Sequence, residues 1–294
     1  MKGISEQPWL RKFLIGMVGK PRLREFDRAS KDIRGAQERV LRQIVDHVRD
    51  TAFGRDHRFD KVKSIEDYRK AVGVNTFEEH RPYVDRMCMG ESDVLVPGKP
   101  LFYNTTSGTT AEPKLIPITE EYLKGLYGGM TSLWLYSALR DNPHLYDGKS
   151  LSAVAPAVEG RVRDGTPYGS ISGVTYRNIP NILKSTYSTP YPVIAIKDYQ
   201  RKYYAMMRFA LGCNITYLVS ASPSNVVRLH QTAVERYEDL VRDIHDGTLS
   251  AEVAEEIAPE ERAEILAGLE PNPRRAAQLQ QLMERHGAGL RPKH

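Results

Sequence analysis

The stretch from Tyr103 to Thr119, YNTTSGTTAEPKLIPIT, gathers seven hydroxyl side chains, one glycine and one lysine between two apolar runs. A loop that holds phosphate needs approachable backbone N–H groups, short hydroxyl donors and a cation on a flexible stem. Gly108 lacks a Cβ and lets a ligand reach the backbone. Thr106, Ser107, Thr109 and Thr110 carry the hydroxyls, and Lys114 carries the ammonium as a point charge. The pattern is not a Walker A loop, which needs glycine directly before the lysine and a hydroxyl directly after it; Pro113 and Leu115 stand there instead. The bland alternative is a Ser/Thr-rich surface turn. The expected setting is a strand before the loop and a helix after it.

Hydrophobic spacing predicts the elements that must position this loop. Ile33, Ala36, Val40, Leu41, Ile44, Val45 and Val48 recur at helical spacing, so residues 33–50 read as an amphipathic helix with one buried stripe. SIEDYRKAV opens with Ser64 three residues before Asp67, a loose capping-box start. DVLVPGKPLFYN reads as extended chain broken by a Pro/Gly turn. From Glu120 to Arg140 a helix is predicted with Tyr122, Leu126, Met130, Leu133 and Trp134 down one face. Gly125, Gly129 and Ser132 line another face, where a close neighbour is expected, because helical glycine costs about 1 kcal/mol against alanine.

SLSAVAPA and YPVIAI are short apolar runs bounded by Pro and Gly and read as buried strands. DYQRKYYAMMRFALG follows as a helix from the cap Asp198 to Gly212, CNITYLVSA as another strand, and Pro223 after Ser222 opens the next helix. GTPYGSISGVTYRNIP, residues 165–180, reads as a Gly/Ser-rich loop before extended chain. The last 55 residues are polar and helical, ending in a helix from Asn272 and Pro273 to Gly287. Strand and helix alternate, so the class is α/β.

Composition bounds the rest. With 294 residues, 40% apolar and 27% charged, the chain buries a core of ordinary size. Cys88 and Cys213 lie 125 positions apart, which supports neither a disulfide framework nor a zinc knuckle, and a reducing cytoplasm is the expected setting. The eight histidines form no catalytic constellation and no metal site is predicted. No window approaches the roughly 20 apolar residues of a membrane span. The net charge of +5 sits at one end: residues 1–40 hold ten Lys and Arg against five acids, and the remainder is balanced at 32 of each sign. A helix there with Trp9, Leu10, Phe13, Leu14, Met17 and Val18 is expected to dock its apolar stripe on the core; peripheral membrane contact through residues 1–40 is the alternative. Nucleic acid is not an expected partner, because no aromatic-interleaved basic patch accompanies the charge.

TSGTTAEPKLIPIT, with TAFGRDHRFDKVKSIEDYRKAV and EEHRPYVDRMCMGESDVL ahead of it, resembles the auxin-responsive promoter family of acyl acid amido synthetases in its bacterial form, within the acyl-adenylate-forming superfamily. The match runs through residues 33–230. The resemblance implies an incomplete N-terminal domain of an acyl-adenylate-forming fold, α/β with sheets flanked by helices and a helical C-terminal segment. Its expected parts are a basic helical region at 1–60, an α/β core at 61–237 with the phosphate loop at 105–114, and a helical segment at 238–294.

Family chemistry implies ATP and Mg²⁺ as cofactors, and a small carboxylic acid and an amino acid or other amine as partners. The acid is activated as an acyl-adenylate and passed to the amine. Thr106, Ser107, Gly108, Thr109, Thr110 and Lys114 carry over as the phosphate contacts, with Lys114 also catalytic, while Ala111 departs from the usual glycine or serine. Ser172, Gly173 and Thr175 are the implied acyl contacts. The family's later adenylation motifs and its small C-terminal domain fall beyond residue 294, so the 294 residues alone are expected to be inactive. A separately encoded second half, a non-catalytic nucleotide-binding half-protein, or a fragment of an acyl-CoA ligase remain as alternatives.

Overall fold

The structure is a computed structural model that describes residues 7–106, 113–179 and 181–287. In chain order its elements are α1 (Pro8–Ala29), α2 (Ile33–Val48), α3 (Ala52–Asp56), α4 (Ile65–Val72), α5 (Phe77–Cys88), β1 (Phe102–Thr106), β2 (Lys114–Ile118), α6 (Gly128–Asp141), β3 (Lys149–Ala153), β4 (Gly160–Arg161), β5 (Pro167–Gly169) and α7 (Ile171–Arg177). Then come α8 (Asn181–Lys184), α9 (Tyr191–Ile194), α10 (Tyr199–Leu211), β6 (Ile215–Ser220), α11 (Pro223–Glu235), α12 (Tyr237–Asp246), α13 (Ala251–Ala254), α14 (Pro259–Ala267) and α15 (Pro273–His286). The chain divides into two compact units, one of Phe13–Asp141 with Ala157–Val174, the other of Met1–Lys12, Asn142–Pro156 and Thr175–His294.

The first unit is built on a sheet of order β2-β1-β5-β4, in which β1 pairs antiparallel with β2 and parallel with β5. Pro117 falls on β2, an edge strand, where a residue without N–H costs the ladder least. Val84 and Met87 of α5 pack with Tyr103 of β1 beneath the sheet, and Val45, Phe53 and Phe59 form a neighbouring cluster. Thr76 and Glu79 make the reciprocal capping box that starts α5, the Glu79 carboxylate accepting from the Thr76 N–H at 2.8 Å. Ser64 caps α4 as its spacing predicts, accepting from the Asp67 N–H at 3.1 Å; the Asp67 carboxylate, however, takes the Lys63 N–H.

The expected docking of the apolar stripe of α1 is overturned here. Trp9, Phe13, Met17 and Val18 of α1 are exposed, as are Leu126, Met130 and Trp134 around α6. The close approach is made by Gly19 instead: a Cβ there would sit 2.3 Å from Tyr136 Cβ and 2.5 Å from the Ser132 carbonyl. A residue without a side chain lets two helices touch through their backbones, which leaves the large apolar groups outside the contact. The close neighbour expected on the face of Gly125, Gly129 and Ser132 is thus found at Ser132, while Gly125 has open space around it and lies in a π-helical turn, Tyr122–Tyr127, ahead of α6. In α2 the range holds, but only Val45 is fully buried while Ile33, Val40 and Ile44 face solvent.

β4 and β5 form a hairpin around Asp164 and Gly165, the latter at φ +89°, a left-handed conformation that suits glycine. Asp164 Oδ1 accepts from the Thr166 N–H at 2.9 Å and Oδ2 from Lys99 Nζ at 3.3 Å. The Thr166 hydrogen bonds, and after them Lys99, hold the Asp164 carboxyl below its ordinary pKa. A depressed folded-state pKa stabilises the fold above the unfolded value, near 3.9, and that contribution disappears as pH falls through the folded one. Asp164→Asn is therefore expected to lower the urea midpoint at pH 7, with the gap to the parent closing below about pH 4. A constant gap from pH 3 to 7 would remove the carboxylate from this account.

The second unit holds the parallel pair β3 and β6, with a register irregularity between Lys149 and Ser150. Its core gathers Val193, Ile194, Ile196, Tyr204, Met206, Leu229 and Leu240. SLSAVAPA and CNITYLVSA form strands as expected, whereas YPVIAI is the short helix α9. Pro192 falls in its first turn, where a missing N–H is harmless and the fixed φ favours the helix. Asp198 caps α10 by accepting from the Arg201 N–H, and Asn272 caps α15 by accepting from the Arg275 N–H. Ser222 does not cap α11, because its hydroxyl pairs with that of Ser224 at 2.7 Å. Arg11 of α1 is buried in this unit and donates to the Gly148 carbonyl at 3.0 Å.

Candidate functional site

The hydroxyl-rich segment joins β1 to β2, which pair antiparallel. The register runs from Phe102 opposite Ile118 to Thr106 opposite Lys114, so the two ends of the loop face one another as a cross-strand pair. Ser107, Gly108, Thr109 and Thr110, four of the six expected phosphate contacts, lie outside the described residues, as does Ala111. Lys114 begins a strand, and the helix expected to follow the loop comes only after β2. LIPI after Lys114 is apolar and β-rich, and it pairs with FYNT of β1 across the turn. Because β2 rather than a helix follows the segment, no helix N-terminus stands at Lys114.

Lys114 is exposed, and its ammonium sits over the Phe77 ring, 5.7 Å from the centroid. Phe77 opens α5 directly after the Thr76 cap, and α5 packs against β2, so the capping box sets where this ring stands. The aromatic face orients the ammonium without consuming its N–H donors. Glu78, next along α5, chelates Arg81 at 2.7 and 3.0 Å. That hydrogen bonding, with the charges of Arg81 and then Lys114, holds the Glu78 carboxyl below its usual range. Glu78 is thus held by Arg81 and adds an acid to the electrostatics of Lys114.

β1 is tied to the Gly/Ser segment by Asn104, whose Oδ1 accepts from the Ile171 N–H at 2.8 Å. Thr105 Oγ1 lies 3.2 Å from both Glu159 Oε2 and the Gly169 carbonyl. Residues 171–177, read as loop from the sequence, form α7, with Ser172 bonded to Ser170 Oγ at 2.7 Å and Gly173 buried. Thr175 is three residues beyond Ser172 and shares its helix face. Tyr103 is fully buried beside Cys88, and burial first, then the thiol, pushes its phenol up. Among the described residues no cluster of three His, Cys, Asp or Glu side chains fits a metal ion.

Phe77, Asn104 and Glu159 were not legible in the sequence. For Asn104 the signal was present but unread: Asp164-Gly165 is a hairpin dipeptide, which makes Pro167–Gly169 a strand able to lie beside β1. Phe77 and Glu159 carry no local mark, since each matters only through a partner far along the chain.

The profile of the GH3 family N-terminal domain matches residues 22–294. Among curated proteins, the jasmonoyl–L-amino acid synthetase JAR4 of Nicotiana attenuata is 23% identical over 260 residues, covering 85% of this chain and 44% of its own length. The indole-3-acetic acid-amido synthetase GH3.5 of Arabidopsis thaliana is 26% identical over 276 residues, covering 89% and 44%. A solved structure of the GH3.15 acyl acid amido synthetase superposes with a TM-score of 0.76 at 22% identity, over 89% of this chain and 47% of that one. The fold is thus the α/β fold of that enzyme, and the chain spans about half the length of the relatives it matches.

Proposed function

The chain belongs to the GH3 family, and on that premise we propose that it is the N-terminal part of an ATP-dependent synthetase that activates a small carboxylic acid and joins it to an amino acid or other amine. ATP supplies the activating chemistry: the carboxylate takes the adenylyl group, pyrophosphate leaves, and the amine then displaces AMP. Thr106, Ser107, Gly108, Thr109, Thr110 and Lys114 hold the β- and γ-phosphates in this reading. Ser172, Gly173 and Thr175 serve the acid. Mg²⁺ accompanies the nucleotide, with ligands to be supplied outside the described residues. Both cysteines are free thiols, which fits a reducing, cytoplasmic setting, and no described helix is long and apolar enough to cross a membrane.

One observation carries the proposal: the hairpin register sets Thr106 and Lys114 opposite each other, so a hydroxyl and an ammonium bracket one short loop. Positioning and charge are what phosphoryl-group chemistry asks of a protein, and this mouth offers both. Residues 1–294 are then a partial adenylating domain that needs the second half for turnover. The test is carboxylate-dependent ATP–pyrophosphate exchange by the 294 residues alone and together with a polypeptide supplying the family's second half. Exchange only in the combined sample is expected. Robust exchange by the 294 residues alone overturns the division of labour, and pyrophosphate binding by an isolated chain inert in both samples points to a non-catalytic binding half.

A further inference from the structure

The unit that carries β3 and β6 contains a half-open cavity of about 900 Å³, lined by the start of β3, the Tyr187–Pro192 segment, the end of α10, α14 and the Gly268–Asn272 connection. Its volume falls within the range of small-molecule sites and far exceeds the roughly 30 Å³ share of one water. Arg208 of α10 lines it with 4% of its surface exposed. The guanidinium donates through Nε to the Thr248 carbonyl at 2.8 Å, while Nη2 is buried with no hydrogen-bond partner. Gly212, one turn on, leaves Nη1 room: a Cβ there would sit 3.2 Å from it.

The acid facing Arg208 is already engaged. Asp243 accepts from the Tyr204 hydroxyl, the Thr248 hydroxyl and the Ser250 N–H at 2.7, 2.9 and 3.0 Å, and makes no ion pair with the guanidinium. Burial accordingly pushes the Arg208 pKa down from its ordinary value, against the weaker opposing pull of Asp243. A buried cation with an open donor is costly unless an anion completes it. Lys149, Arg177 and Lys184 also line the cavity, with Glu261, Glu264 and Glu270 as its acids. Tyr187, Phe209 and Ile265 add aromatic and apolar wall.

We propose that this cavity binds a small carboxylate with an apolar body, its anionic end received by Arg208. The site is additional to the acyl contacts at Ser172 and Gly173, and it lies in a different unit from the phosphate hairpin. Benzoate is the probe, with uptake measured by calorimetry and located by the methyl NMR signal of Ile265, assigned with Ile265→Val. Binding read at that methyl is expected to saturate at one equivalent per cavity. Arg208→Met is expected to weaken uptake at least tenfold and Lys149→Met several-fold; the second variant keeps the test open should the first fail to fold. Lys114→Ala leaves the uptake unchanged, which separates this site from the nucleotide reading. Phosphate is not expected to displace the probe. The proposal is overturned by an Ile265 methyl that stays put in folded protein, by uptake undiminished in Arg208→Met and Lys149→Met, or by phosphate binding the cavity more tightly than benzoate.

Discussion

Lys114→Ala in the assembled synthetase is expected to lower carboxylate-dependent ATP–pyrophosphate exchange by about two to three orders of magnitude. The Lys114 ammonium is exposed, held over Phe77, and set across the hairpin from Thr106; in the proposed reading it meets the departing pyrophosphate as a point charge with its N–H donors free for oxygen. Removing one such preorganised donor from a site of developing negative charge typically costs about 3–4 kcal/mol of transition-state stabilisation, which sets the size of the effect. The fall is expected in kcat as much as in kcat/KM, because charge on the leaving group peaks in the transition state. Lys114→Arg keeps the charge but changes its shape, and is expected to lie between parent and alanine. Phe77→Leu, which removes the aromatic platform worth about 0.5–1 kcal/mol at an exposed site, is expected to cost only a few-fold. Equal exchange rates for Lys114→Ala and the parent would remove the loop from the chemistry.

The second large effect concerns stability. Asp243→Ala is expected to destabilise the unit that carries β3 and β6 by about 3–5 kcal/mol. The carboxylate is 5% exposed and joins three places in the chain: Tyr204 on α10, Thr248 in the turn after α12, and Ser250 at the start of α13. Its removal leaves a buried phenol hydroxyl and a backbone N–H unpaired, and deprives Arg208 of the nearest opposing charge. The turn it holds is tight, since Gly247 sits at φ +70° and a Cβ there would meet the Pro271 nitrogen at 2.5 Å. At about 2–4 °C per kcal/mol, Tm is expected to fall by roughly 6–20 °C. Asp243→Asn keeps the shape and half the acceptors and is expected to cost less. A melt of Asp243→Ala within about 1 kcal/mol of the parent would mean that Tyr204, Thr248 and Ser250 find other partners.

Local chemistry was readable from local residues. Ser64, Asp198 and Asn272 cap the helices whose starts they mark, because a side-chain oxygen reaching an N–H two or three residues on is a short-range event. Gly19 and Pro192 show where this legibility ended. A glycine in an apolar helix does not announce that α6 will press against it, and a six-residue run of buried aliphatics looks the same as strand or helix until its neighbours are present.

The candidate site divides along the same line. The sequence by itself determined the donor set of the loop, hydroxyls, glycine and Lys114, together with the likeness that led to the family. Only the tertiary structure decided that Lys114 starts an edge strand opposite Thr106, that Phe77 from α5 lies under its ammonium, and that Asn104 reaches Ile171 across 67 residues. Arg208 and its cavity are likewise a product of folding, with the Thr248 carbonyl forty residues away and Lys149 brought in from β3. The physical reason is the range of the forces: capacity to donate or carry charge belongs to single side chains, whereas burial and proximity arise only when distant segments exclude water together.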